Sequence, residues 1–139
     1  MSDLLYKAEV FQLVGYFMEV HSELGKGQDE VLYKDAFTVD LQRAQIPFSR
    51  ERKYEVTYQG VILPHHYFAD FAVWDKVLFE AKAVERLTEV HVKQVLNYLA
   101  LSKLELGLLV NSGADSLEWK RIVLTQKTKP VDLPKGFRI

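Results

Sequence analysis

Hydrophobic residues along the chain follow helical spacing first and strand spacing later. Apolar side chains recur every three to four residues over 4–24 and again over about 29–44, which predicts two successive helices. The stretch Gly25-Lys26-Gly27 separates them, since glycine readily adopts the left-handed conformation that ends a helix. Residues 53–58 then alternate between polar and apolar side chains, as a half-exposed strand does. The pattern therefore predicts two helices followed by the start of a sheet.

The second half of the chain continues this sheet. A strand is predicted within 61–74, interrupted or started late by Pro64, and another over 76–84. A helix over 88–102, a buried strand over 104–111 and a last strand over 119–124 follow. The predicted order is ααβββαββ, an α/β (mixed α+β) class in which helices pack on one small sheet.

Composition places the chain among globular proteins. A length of 139 residues predicts one domain over 1–139, and 48% hydrophobic with 27% charged residues excludes intrinsic disorder. The absence of cysteine excludes disulfides, thiolate zinc sites and cysteine nucleophiles. The N-terminus has no basic flank of a signal peptide and no apolar run reaches membrane-spanning length, so we expect a cytoplasmic protein without a membrane partner. Monomer and homodimer are both open.

Charge is distributed unevenly along the chain. The net charge is −1, but residues 120–139 carry six basic side chains and one acid, a local charge of +5. The segment 126–139 is therefore a candidate for contact with phosphate groups, and solvated surface is the alternative.

The hairpin 69–84 carries charged residues among aliphatic ones. If Trp74-Asp75-Lys76 is a three-residue loop, Asp70 lies directly opposite Glu80, and opposed side chains share a face. Lys82 points to the same face because side chains alternate along a strand. A two-residue loop would shift the pairing by one residue and separate the acids.

Two facing carboxylates repel each other unless one is protonated or a cation lies between them. Hard divalent ions suit such a pair, and Mg²⁺ typically takes one or two carboxylates plus waters and substrate phosphate. The alternative is a structural ion-pair cluster in which Lys82 is the counter-ion of Asp70 and Glu80.

Further polar residues have two interpretations each. His91, Gln94 and Tyr98 lie on one stripe of the predicted helix 88–102, either as a site or as helix surface with His91 as a cap. Glu30 lies in the first turn of the second helix, where a favourable interaction with the helix dipole is the simpler explanation.

The pair His65-His66 is a rival metal site. Adjacent residues of a strand point to opposite sides, so we expect a surface or substrate-edge role instead.

Three short motifs carry a resemblance to known nucleases. Asp70 followed after nine residues by Glu80-Ala81-Lys82 resembles the active-site signature of the PD-(D/E)xK nuclease superfamily. Gln94 and Tyr98 look like the Q-x3-Y motif of its RecB-like exonuclease branch, and the segment 27–33 (GQDEVLY) resembles the motif that names the GxxExxY family. The resemblance covers roughly residues 10–125, and Ala69 replaces the proline of the signature, a position without a catalytic group.

The resemblance implies a restriction-endonuclease-like domain with a central mixed sheet flanked by helices, acting as a Mg²⁺-dependent nuclease on DNA. It implies that Asp70 and Glu80 bind Mg²⁺, or Mn²⁺ as a substitute, with Glu30 contributing directly or through water. Lys82 is implied to orient or deprotonate the attacking water. Gln94 and Tyr98 would position the substrate strand or the lysine. A catalytically silent nuclease-fold domain that binds nucleic acid or acts as an accessory protein, or another metal hydrolase, are the alternatives.

Overall fold

The computed structural model describes residues 4–124 and confirms the predicted order ααβββαββ. The basic segment 126–139 lies outside the described residues. None of the helices within 4–124 has the length and apolar character needed to cross a membrane. The elements are α1 (Lys7–Leu24), α2 (Glu30–Arg43), β1 (Phe48–Tyr58), β2 (Val61–Val73), β3 (Val77–Lys82), α3 (Glu89–Ser102), β4 (Leu106–Asn111) and β5 (Glu118–Val123).

The five strands form one mixed sheet in the order β1-β2-β3-β4-β5. Neighbouring strands are antiparallel except β3 and β4, which run parallel and are joined through α3. A parallel pair requires such a crossover connection, and a helix is its usual form. The predicted mixed sheet flanked by helices is confirmed.

Helices cover both faces of the sheet. The helices α1 and α2 pack on one face, where Phe37 stacks on Phe79 with ring centroids 4.2 Å apart. Phe17 and Phe71 contact the same rings edge-on or tilted. The helix α3 packs on the other face against Leu78 and its neighbours. The aromatic cluster fixes α2 against β2 and β3, and so places the start of α2 beside the hairpin.

The strand β1 begins five residues earlier than predicted. Phe48 pairs with Val73, whereas the sequence pattern predicts a strand only from residue 53. The prediction was wrong there because β1 is an edge strand whose residues are mostly half-buried or exposed, so its polar start shows no alternation.

Pro64 does not interrupt β2. It lies in an irregular stretch where the pairing with β1 shifts between Glu55–His66 and Thr57–Ile62. Two extra residues of β2 are accommodated there, so the ladder needs no N–H from the proline.

Candidate active site

The β2–β3 hairpin has the predicted register. Val73 pairs with Val77 and Phe71 pairs with Phe79, around the three-residue loop 74–76. Trp74 has a φ of 56° and Asp75 a φ of 53°, a left-handed pair that closes this tight connection. The next opposed pair in this register is Asp70 and Glu80, and there the two strands part.

Beyond Phe71 and Phe79, hydrogen bonds to the two carboxylates replace the backbone hydrogen bonds between β2 and β3. Asp70 N–H donates to Glu80 Oε2 at 2.7 Å, and Ala81 N–H donates to Asp70 Oδ2 at 2.9 Å. Each acid is thereby bound to the other strand. Asp70 is 8% exposed and Glu80 is 2% exposed. Where β2 and β3 diverge, the two buried carboxylates therefore lie side by side between the strands.

The side-chain alternation of β2 changes at the same point. Phe71 packs toward α1 and α2, whereas Tyr67 packs toward α3, although both positions would share a face of a regular strand. The irregularity falls at Asp70, and opposite it on β1 Glu51 has a φ of 53°. Asp70 can therefore reach a residue of α2 while it contacts β3.

Burial dominates the electrostatics of Glu80. Loss of solvent and then the charge of Asp70 raise the pKa of Glu80 to about 8. The hydrogen bond from Asp70 N–H and the charges of Lys82 and Lys34 lower this pKa by less. In the metal-free protein near neutral pH, Glu80 therefore holds a proton.

The structure adds Lys34 and Glu51 to the site, which the sequence analysis missed. Lys34 Nζ lies 3.0 Å from Asp70 Oδ1, 3.2 Å from Glu51 Oε2 and 3.8 Å from Glu30 Oε2. Burial lowers the pKa of Lys34, but Asp70 and Glu51 raise it by more, so the net pKa is raised. The spacing of Glu30 and Lys34, four residues apart on a helix, was a usable signal for Lys34. No comparable signal marked Glu51, because it lies before the predicted strand 53–58.

Lys82 stands apart from this ion-pair cluster. It is half-buried on β3 and its charge lowers the pKa of Glu80, but it forms no ion pair with any residue of 4–124. Within 4–124, Lys82 therefore forms no direct ion pair with either acid. Lys34 is the lysine that pairs directly with Asp70.

The helix α3 presents its polar residues to the acids from the other face. Tyr98 is 8% exposed, and burial followed by the charges of Glu80 and Asp70 raises the pKa of Tyr98 to about 12. The side chain of Gln94 hydrogen-bonds to Tyr98, which lowers this pKa by less. His91 is a cap, since its Nδ1 accepts from Thr88 N–H at 2.9 Å.

The turn between α1 and α2 positions Glu30. Tyr33 is fully buried, and its hydroxyl donates to Gly25 O at 2.5 Å and accepts from Gln28 N–H at 3.2 Å. Gly27 has a φ of 98°, which favours glycine. These contacts fix Glu30 as the first residue of α2, beside Lys34.

The donor set fits a hard divalent ion held by few protein ligands. Among the described residues 4–124, no group of three or more His, Cys, Asp or Glu side chains is arranged to hold a metal ion. Asp70 and Glu80 offer two adjacent carboxylates, and Mg²⁺ commonly takes one or two and completes its shell with water and phosphate. His65 and His66 pack against Tyr67 and Phe68 respectively, and build no alternative centre.

Paired buried acids at diverging strands of a mixed sheet, followed by a lysine, define a nuclease-like domain. The family model described as the PD-(D/E)XK nuclease superfamily matches residues 7–122, and the chain belongs to this superfamily. The architecture is consistent with a restriction-endonuclease-like fold.

A solved structure entitled "Crystal structure of SSO0001" has a similar fold, with a TM-score of 0.54 and 21% sequence identity. The match covers 88% of this chain and 62% of the other, so this chain spans less than two thirds of that protein's length. No curated protein sequence matches the chain.

The pKa of Glu80 predicts an unusual pH dependence of stability. The folded-state pKa, about 8, lies above the ordinary glutamate value of 4.5, so the native state binds one proton more than the unfolded state between these values. In EDTA, the free energy of unfolding should fall by up to about 1.4 kcal/mol per pH unit across this window. Chemical denaturation from pH 5 to 8 measures this slope. Glu80→Gln should flatten it, and an equally steep slope in that variant would contradict the assignment.

Proposed function

We propose that this chain is a Mg²⁺-dependent nuclease that hydrolyses phosphodiester bonds in DNA. The observation that carries the proposal is the interlocked pair of buried acids, each accepting an N–H of the opposite strand at 2.7 and 2.9 Å. Superfamily membership supports a nuclease function in general. Burying two carboxylates costs free energy, and such buried acids are concentrated at catalytic and metal-binding sites.

Asp70 and Glu80 are the proposed ligands of Mg²⁺, with Mn²⁺ as a substitute. The bound ion supplies charge neutralisation at the phosphate and an acidified water. Glu80 must release its proton when the ion binds, because burial and Asp70 keep it protonated otherwise. Glu30 lies 3.8 Å from Lys34, which in turn contacts Asp70, and is proposed to contribute through water.

Lys82 is the proposed catalytic residue that acts on water or phosphate. Its side chain lies near Glu80 and is not engaged in an ion pair within 4–124. The ammonium can donate a proton at Nζ or stabilise charge on the phosphate, and only the neutral amine can accept a proton from water. Tyr98 and Gln94 border the acids from α3 and are proposed to position Lys82 or the substrate strand.

A row of aromatic rings suggests where a DNA strand lies. Tyr98 and Tyr67 have ring centroids 6.0 Å apart, and Tyr67 and His65 have centroids 4.9 Å apart. The row leads from the acids along β2 to the exposed His65. Aromatic and histidine rings are common stacking platforms for unpaired bases, which supports a substrate-edge role for His65.

Assignment to the GxxExxY branch is a finer proposal. It rests on three residues of the motif. Gly27 forms the turn before α2, Glu30 contributes a carboxylate beside Lys34, and the buried Tyr33 hydrogen-bonds to the turn.

DNA binding should be strongly salt-dependent and should draw on basic residues outside the acidic cleft. The segment 126–139 carries Lys127, Lys129, Lys135 and Arg138 against Asp132, and is the first candidate. Removing it should flatten the slope of log affinity against log salt by roughly one unit per lost phosphate contact. Fluorescence anisotropy over a salt series measures the slope. An unchanged slope would remove this segment from the proposed interface.

Cleavage of a DNA panel tests the proposed function. Single-stranded, duplex and partly unpaired DNA are incubated with the pure protein in Mg²⁺, in Mn²⁺ and in EDTA. We expect cleavage of at least one form with either metal and none in EDTA. Binding of DNA without cleavage under any divalent ion would favour the catalytically silent alternative.

A further inference from the structure

Lys34 lies at the centre of a carboxylate cluster that borders the proposed metal centre. Its ammonium contacts Asp70 Oδ1 at 3.0 Å and Glu51 Oε2 at 3.2 Å, and lies 3.8 Å from Glu30 Oε2. Three acids from three different elements therefore surround one cation.

The ammonium is held there by the packing of α2. Lys34 is flanked by the helix residues Tyr33 and Phe37, both fully buried, and its own side chain is 12% exposed. The side chain cannot leave the cluster without losing all three carboxylates, whereas a typical surface lysine exchanges one exposed partner for water.

We infer that the Lys34 ammonium permanently occupies one cation position of the active site, as its resident cation, and thereby restricts the site to a single divalent ion. The inference rests on the proposed function for the identity of the site. Lys34 occupies the side of Asp70 that faces α2, and the side that faces Glu80 is left for the metal.

The contacts of Asp70 explain the restriction. Its Oδ1 accepts a hydrogen bond from Lys34, while its Oδ2 accepts the N–H of Ala81, the residue that follows Glu80. In two-metal hydrolases the ions lie about 3.5–4 Å apart. A second ion on the Oδ1 side must therefore displace an ammonium that three carboxylates hold. The positive charge of Lys34 also weakens binding of the first ion through repulsion.

Titration calorimetry with MnCl₂ alone, without nucleic acid, tests the inference. We expect the wild type to bind one Mn²⁺ per chain. Lys34→Met should bind a second Mn²⁺, and should bind the first at least about tenfold more tightly. Lys34→Gln keeps a hydrogen-bond donor without the charge and should behave in the same way. The control is Lys26→Met, because Lys26 forms an exposed ion pair with Asp115 and should leave the titration unchanged.

Melting temperatures in EDTA and in Mn²⁺ provide a second readout. Both Lys34 variants should melt lower than wild type in EDTA, and Mn²⁺ should raise their melting temperature by more than it raises that of the wild type. A variant that folds only with Mn²⁺ supports the inference. If both variants fail to fold in either buffer, the inference is overturned, because Mn²⁺ should replace the ammonium.

A stoichiometry of one Mn²⁺ per chain in folded variants, as in the wild type, would also overturn it while leaving the nuclease proposal intact. A wild type that binds no Mn²⁺ would contradict the proposed metal centre instead. In that case, Mn²⁺ binding by the Lys34 variants still supports Lys34 as the resident cation. Variants that also bind no Mn²⁺ overturn that role as well.

Discussion

Lys82→Ala should reduce the rate of DNA cleavage by about 100-fold or more and leave the melting temperature close to that of the wild type. Lys82 is proposed to act where the attacking water loses its proton and charge builds on the phosphate, and removal of such a group typically costs this much. The fold should tolerate the change because Lys82 forms no ion pair within 4–124. Affinity for Mg²⁺ should be retained or increased, since a positive charge near Glu80 is removed.

Single-turnover cleavage, calorimetry and a thermal melt on the same variant separate these effects. Lys93→Ala is the matched control, because Lys93 is an exposed lysine of α3. Cleavage by Lys82→Ala at the rate of wild type would exclude a catalytic role. A large loss of melting temperature would instead indicate that Lys82 is structural.

Glu80→Gln should abolish Mg²⁺ binding and leave the fold intact. The amide oxygen can still accept the N–H of Asp70, so the interlocked strands are preserved. The repulsion between Glu80 and Asp70 disappears, and with it the cost of ionising a buried acid whose pKa is about 8. In EDTA the variant should therefore be at least as stable as the wild type, with the largest gain above pH 8.

Calorimetry with Mg²⁺ and denaturation in EDTA measure the two halves of this prediction. Glu105→Gln is a suitable control, since Glu105 is exposed and forms no ion pair among residues 4–124. Wild-type affinity for Mg²⁺ in Glu80→Gln would rule out this carboxylate as a ligand.

The sequence predicted the arrangement of Asp70 and Glu80 on the condition that the loop has three residues, which the structure confirms. A three-residue loop fixes the pairing of a hairpin, so counting from Trp74-Asp75-Lys76 places the two acids opposite each other. The observed pairing runs to Phe71 and Phe79, and the two acids follow as the next residues of this register. The element order was also accessible, because burial of apolar faces imposes a period of 3.6 on helices and of 2 on strands.

Contacts between distant elements were not accessible in this way. Lys34 and Glu51 meet Asp70 only because the aromatic cluster docks α2 against β2 and β3. No local pattern encodes that docking. The change of face at Asp70 was hidden for a related reason, since a strict alternation was assumed and the left-handed residue Glu51 gives no sign in the sequence.

The nuclease proposal depends on one point, that Asp70 and Glu80 together hold the divalent ion. Anomalous diffraction from crystals of the protein soaked in MnCl₂ locates such an ion directly. We expect one peak per chain, at about 2.0–2.3 Å from a carboxylate oxygen of each of these two residues. A peak elsewhere, or a Mn²⁺ that contacts neither acid, would contradict the proposed centre.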